Sequence, residues 1–402
     1  MRAKRIYITV AAVMLVVPRL ISPQAWAQTF QVLHAFTWAS GPSGALAMDA
    51  AGDLYGTTQA GGGTGCGGHG CGTIWKMTPN ANGTWATTTL HVFSGADGNP
   101  VGGVILDGAG NLFGTTSSSD LPKKYGVVFE LKLTSGGNWA YSVLHAFGFS
   151  DGARALGSLV LDTVGNLYGT TAEGGLSTGY CAANSCGVVF KLAPNRDGTW
   201  TESVIHEFNG QDGSFPAAGL TFDAAGNLYG TSANNVFKLT PNTDGSWSFT
   251  ILHAFVGLLD GVAPNSLVFD AAGNLYGTTE GGGIKAGGTV FKLAPNADST
   301  WSESILESFG GSQTSANGND PMVGLAFDAA GNLWGTTKYG GCGAGIVFKL
   351  TPTSGGWNES IAHIFWGYAA FPLSPLLVGP SGRLFGTAFA SVNNGIVFEV
   401  SP

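Results

Sequence analysis

The side chains able to do chemistry in this chain are five cysteines, seven histidines and a regularly spaced set of acids. Cys66 and Cys71 bracket Gly-Gly-His-Gly, and Cys181 and Cys186 bracket Ala-Ala-Asn-Ser with the same spacing. In an exported chain two local disulfides are the favoured reading. Each would close a very short loop, worth about 2 kcal/mol by chain entropy. The alternative is zinc held by Cys66, His69 and Cys71, but no fourth ligand is near and the second pair has no histidine. Cys342 is left over, either free or intermolecular. Six histidines (His34, His91, His145, His206, His253 and His363) occupy one recurring position, with Glu307 where a seventh is expected. Spread over separate repeats they cannot converge on one metal, so no metal and no cofactor is expected. The aspartates Asp49, Asp107, Asp162, Asp223, Asp270 and Asp328 also recur, each three residues before a glycine. Carboxylates in such turns accept backbone amides, and scaffold is the reading favoured over acid–base pairs.

What positions these residues is an internal repeat. Phe327-Asp328-Ala329-Ala330-Gly331-Asn332-Leu333-Trp334-Gly335-Thr336-Thr337 reads as strand, tight turn, strand, and its second-strand core recurs at Leu54, Leu112, Leu167, Leu228, Leu275, Leu333 and Leu384. Asp-x-x-Gly is a type I turn completed by a left-handed residue. A third strand of the Val-Phe-Lys-Leu type follows, as at Val189, Val236, Val290 and Val347. A fourth begins at Trp (Trp85, Trp139, Trp200, Trp247, Trp301, Trp357) and ends in Leu-His-x-Phe, alternating at period two. The chain opens with a fourth-type strand, Gln31 to Phe36, and closes with a third-type strand, Ile396 to Val400. Neither makes a sheet alone, and together they complete the seventh. The expected fold is therefore all-β: a seven-bladed β-propeller of four-stranded antiparallel blades, its ring closed by the N-terminal strand joining the C-terminal blade.

Asp-x-x-Gly-Asn-Leu-Tyr-Gly-Thr-Thr, then Gly-Gly, then Val-Phe-Lys-Leu, resembles the GloVer (Gloeo/Verruco-type) tandem repeat of exported bacterial proteins. The resemblance covers essentially the whole chain after residue 27. It implies export and often a C-terminal surface anchor, and it carries no assigned activity. This sequence has nothing after Pro402, so a released or periplasmic protein is expected. More distantly, the first hairpin is similar to that of NHL-type propellers, which mostly bind partners.

The N-terminus supports export. Arg2, Lys4 and Arg5 precede the apolar run Ile6 to Val17, and Ala25-Trp26-Ala27 offers a cleavage site before Gln28. Residues 1–27 read as a signal peptide and 28–402 as one propeller, with Arg19 leaving an uncleaved anchor as the alternative. No later run is long and apolar enough to span a bilayer. Cleavage would leave thirteen basic against twenty-five acidic residues, a net charge of −12 from the −8 of the whole chain. Such a surface repels phosphate backbones, which excludes nucleic acid as a partner class.

In a four-stranded meander the second-to-third and fourth-to-first loops open on one face of the ring. Variable loops on a rigid frame are where sites reside. The candidate ligand-binding residues are those outside the repeat register on that face: Trp38, Glu173, Tyr180, Glu280, Tyr339, Trp366 and Tyr368. The loop aromatics could stack on sugars, pack on a partner or seal the ring closure. There is no Gly-x-Ser-x-Gly elbow, HExxH helix or phosphate loop. The expectation is a monomeric, exported, non-catalytic binding module, extracellular or periplasmic, for a glycan or protein at the cell surface. The alternatives are a carbohydrate-active hydrolase or lyase using Glu173 and Glu280, and a structural surface protein.

Overall fold

A computed structural model describes residues 28–36, 41–117, 125–175, 181, 185–366, 371–389 and 395–401. Units one to six each form four main antiparallel strands in chain order, as in Val160–Leu161, Leu167–Thr171, Val188–Pro194 and Trp200–Glu207, while the seventh takes its outer strand from the N-terminus. We number the units one to seven by their second strands: Leu54–Thr58, Leu112–Thr116, Leu167–Thr171, Leu228–Thr231, Leu275–Gly281, Leu333–Thr337 and Leu384–Phe389. Units one and two share an eight-stranded sheet, joined by one parallel pairing of Ala45 with Gly103.

The turn aspartates act as the sequence suggests. Asp162 Oδ1 accepts the amides of Val164 and Asn166, while Oδ2 accepts Asn166 Nδ2 and the Tyr168 hydroxyl. In unit six Trp334 Nε1 takes the tyrosine's place on Asp328. The turn carboxylates Asp162, Asp223, Asp270 and Asp328 titrate below the ordinary aspartate range, because these donors outweigh the burial that opposes them. Unit seven has no such aspartate; there Arg383 pairs through two nitrogens with Glu399, which stands where units one and three to six carry lysine and unit two carries Glu130.

Second and third strands are buried on both faces, and the fourth strands form the partly exposed outer edge. The apolar layers lie between neighbouring sheets. Tyr168 and Val189 of unit three pack with Leu228, Phe237 and Leu239 of unit four, and Leu46, Leu54 and Trp75 of unit one pack with Phe385 and Val397 of unit seven. That second layer closes the ring. So does the N-terminal strand Thr29–Ala35, which pairs antiparallel with Ile396–Ser401, setting Val32 opposite Phe398 and His34 opposite Val397. This is the closure the chain ends predicted.

At the axis the inner backbones crowd. A Cβ on Gly102 would come within 2.4 Å of the Gly157 carbonyl oxygen in the next unit, so only glycine fits. The result is an axial cavity of about 460 Å³ walled by Gly44, Gly102, Gly157, Gly219, Ser266, Gly324 and Pro375, one from each unit.

Candidate functional site

The mouth of that cavity is built where two loop families meet. In unit three the loop before the first strand and the loop after the second bridge through Ala153 and Glu173, which exchange backbone hydrogen bonds of 2.7 and 3.0 Å. In unit six Asn319 and Tyr339 do the same at 2.9 and 3.0 Å. The two families therefore share a face, as the meander requires. Beside this bridge one residue per loop is left-handed: Arg154 (φ 57°), Phe215 (53°), Ala263 (54°) and Asp320 (63°). Non-glycine residues bear a cost of about 1–3 kcal/mol there, and such strain clusters at functional sites.

Glu280 lines the cavity. Burial pushes its carboxyl up, the Asp320 carboxylate adds to this, and Lys338 opposes it. Asp320 is also raised by burial against the pull of Lys338. The lysine ammonium lies 5.0 Å from the Tyr339 ring, which meets Phe371 edge-on at 5.5 Å. The mouth between units five and six thus holds two acids, one of their protons favoured by their proximity, beside a single cation. Such a set favours holding a proton between the two carboxyls and can anchor a cationic group.

The predicted residues are not all brought together. Glu173 is held by Arg154, Oε1 to Nη1 at 2.5 Å, and that guanidinium lies 5.6 Å from the Phe215 ring. Glu173 is thereby neutralised locally rather than joined to Glu280. Trp366 is 69% exposed on the loop before unit seven, not folded over the closure. Trp38, Tyr180 and Tyr368 lie outside the described residues. Both disulfides are formed, Cys66–Cys71 and Cys181–Cys186, which consumes the thiols a zinc site would need; Cys342 is free and exposed.

Sequence reasoning missed Asp320 and Arg154. Their signal was the second residue beyond the loop Asp-Gly or Asn-Gly, which reads Arg, Phe, Ala and Asp in units three to six. It also missed an apolar patch. The loop into unit five exposes Val256 (86%), Leu258 (83%) and Leu259 (71%), and Ile284 across from it is 79% exposed. Val262 of this loop pairs with Gly281, which places the patch next to Glu280. The sequence signal is Val-Gly-Leu-Leu where the loops into units two and four read Ser-Gly-Ala and Asn-Gly-Gln before the same aspartate.

No curated protein sequence matches the chain. Among solved structures it is similar to virginiamycin B lyase from Staphylococcus aureus, with a TM-score of 0.58 at 13% identity over 93% of this chain and 99% of that one. It is also similar to a provisionally assigned 6-phosphogluconolactonase from Bacteroides uniformis, with a TM-score of 0.53 at 13% identity over 86% and 94%. At such identity the likeness concerns the fold, which is that of a β-propeller. Among the described residues no helix is long and apolar enough to cross a membrane. By three overlapping matches to the Gloeobacter/Verrucomicrobia repeat, over residues 21–181, 64–236 and 232–402, the chain belongs to that repeat family.

Proposed function

We propose that this is an exported binding protein whose loop face takes a peptide segment of a cell-surface partner, apolar side chains on the unit-five patch and a basic group at the cavity mouth. The observation that carries the reading is the exposure of Val256, Leu258 and Leu259 together on one loop, with Ile284 equally exposed on the second-to-third loop of the same unit. Single exposed apolar residues are ordinary, but a contiguous set marks an interaction surface. Burying four such side chains in a partner would supply about 1.5–3 kcal/mol each before ordering costs. The adjoining Glu280 and Asp320, on a chain of net negative charge, select a cationic neighbour. The test is capture from a detergent extract of the producing cell's envelope. The wild type should retain a discrete partner, and Leu258→Asp with Leu259→Asp should weaken retention at least tenfold at unchanged melting temperature. Equal capture by both sinks the reading. Binding on a glycan array lost by Trp366→Ala would replace it with a sugar-binding one.

The Glu280–Asp320 pair supports a second reading. Two neighbouring carboxyls, both pushed up by burial and one further by the other's charge, are a starting arrangement for acid–base cleavage. The name of the Staphylococcus aureus protein makes elimination a chemistry to screen beside hydrolysis. Turnover of a polysaccharide panel abolished by Glu280→Gln or Asp320→Asn would establish it, and turnover untouched by both would remove it.

A further inference from the structure

The register histidines were read from sequence as scaffold because they cannot reach one another. In the structure each instead meets the fourth strand of the following unit, at the residue four places before that unit's own register histidine (or Glu307). At three interfaces this partner is aromatic and the imidazole stacks on it: His91 on Tyr141 at 4.1 Å, His206 on Phe249 at 4.0 Å and His363 on Phe30 at 3.6 Å. At two interfaces the partner is a glutamate, and the loop aspartate comes in from a third direction.

We propose that the chain binds two divalent transition-metal ions of the Zn²⁺ class between neighbouring units, one held by His145, Asp151 and Glu202 and the other by His253, Asp260 and Glu303. The ligating atoms of each trio lie within 4.8 Å of one another. At the second site His253 Nε2 is 3.6 Å from Asp260 Oδ2 and 3.6 Å from Glu303 Oε1. That is too long for hydrogen bonds. It suits donors sharing one ion at about 2.0–2.2 Å, since the edge of such a tetrahedron is about 3.3–3.6 Å. His253 Nε2, Glu303 Oε1 and, at the first site, Glu202 Oε1 are shut off from water and without a hydrogen-bond partner. A polar atom stranded in this way costs about 1–3 kcal/mol, and one ion at each site would satisfy them.

The aspartates are held ready for this role. Asp260 Oδ1 accepts the amides of Val256 and Gly257, and Asp151 Oδ1 accepts the amide of Gly148 at 2.7 Å. Such outer contacts orient a metal-binding carboxylate. At the first site the His145–Asp151 contact is a hydrogen bond of 2.9 Å, which an entering ion would open. One imidazole with two carboxylates favours zinc-like ions over magnesium or calcium, which prefer oxygen alone. The other interfaces are internal controls: His206 has Asp212 at 3.3 Å but Phe249 in the glutamate's place, so a third ligand is missing. Each ion would tie two units and their connecting loop together at the outer rim, which predicts metal-linked stability rather than catalysis.

The experiment uses the mature protein carrying Cys342→Ser, so that the exposed thiol cannot bind metal, stripped with EDTA and dialysed against ZnCl₂ at pH 7.5. Metal analysis should give two zinc ions per chain. Glu202→Gln and Glu303→Gln should each leave one and the double variant none, with the zinc-induced rise in melting temperature falling in step. In EDTA the double variant should melt no lower than its parent, which separates lost binding from lost folding. Fewer than one ion per chain, or uptake unaffected by the double substitution, would overturn the proposal.

Discussion

Gly277 shows how a single residue is fixed by a partner far along the chain. It lies opposite Phe291 on the adjacent strand, and a Cβ there would come within 2.6 Å of that ring and 3.0 Å of Leu267 Cδ2. The same relation holds in unit three, where Gly169 lies beneath Phe190. Phe291 is wholly buried, so the clash has little room to relax, and overpacking of this kind costs about 1–3 kcal/mol. Gly277→Ala should lower the stability read from urea unfolding by that amount. Phe291→Leu should be harmful alone yet recover part of the loss when combined, because it vacates the contested space. Strictly additive losses would show that the two positions are not in contention. The glycine was visible in the sequence as a repeated letter, but its reason was not, since that depends on the register between two strands. The turn aspartates were fully legible because all their donors lie within six residues of them. Arg154 and Asp320 were not, because their left-handed backbone and their charged partners across the loops arise only where those loops meet in the folded ring.

The fourth strands form a belt in which each unit presents one side chain to the next, and its weakest link is identifiable. Between units five and six Glu307 stands in the histidine's place, and Glu359 faces it. Burial, with Glu307 adding to it, pushes the Glu359 carboxyl up to about 7, against a smaller pull from Lys285. In the unfolded chain this group titrates near the ordinary value of 4.5. Between those two values the folded state binds more protons than the unfolded one, so this group's contribution to stability falls as pH rises from 4.5 to 7 and is flat above that. Replacing it with an uncharged isostere removes the loss. Glu359→Gln should therefore stabilise the fold more at pH 8 than at pH 5, by on the order of 1 kcal/mol once solvent screening at this rim is allowed for, seen as a larger rise in melting temperature at pH 8. An equal change at both pH values would mean that Glu359 titrates normally. The alternation of these strands could be read at period two in the sequence. Their pairing across units could not, because it follows from a four-residue offset between sheets that no single repeat contains.

Closure is a property of the whole molecule, and it was legible for an unusual reason: the ends of the chain carry complementary fractions of one repeat. Thr29–Ala35 supplies more than hydrogen bonds to Ile396–Ser401. Phe30 lies flat on His363 of unit six at 3.6 Å, while Leu33 and Phe36 pack on the layer between units seven and one. The strand therefore belongs to two interfaces as well as one sheet. In an open array of repeats the loss of a terminal strand would weaken only its neighbour. In a ring it removes a contact from both sides of the seam. Deletion of residues 28–36 leaves the edge of Ile396–Ser401 unpaired, with Val397, Phe398 and Val400 losing their cover, and a bare apolar edge recruits other chains. The truncated protein should elute as concentration-dependent oligomers in size-exclusion chromatography with light scattering, and its melting temperature should fall throughout the molecule rather than in a separate early transition. A synthetic peptide of residues 28–36 added in trans should return it toward the monomer. A truncated chain that stays monomeric and melts as before would mean that the inner strands at the axis and the unit-seven to unit-one layer hold the ring without their seam.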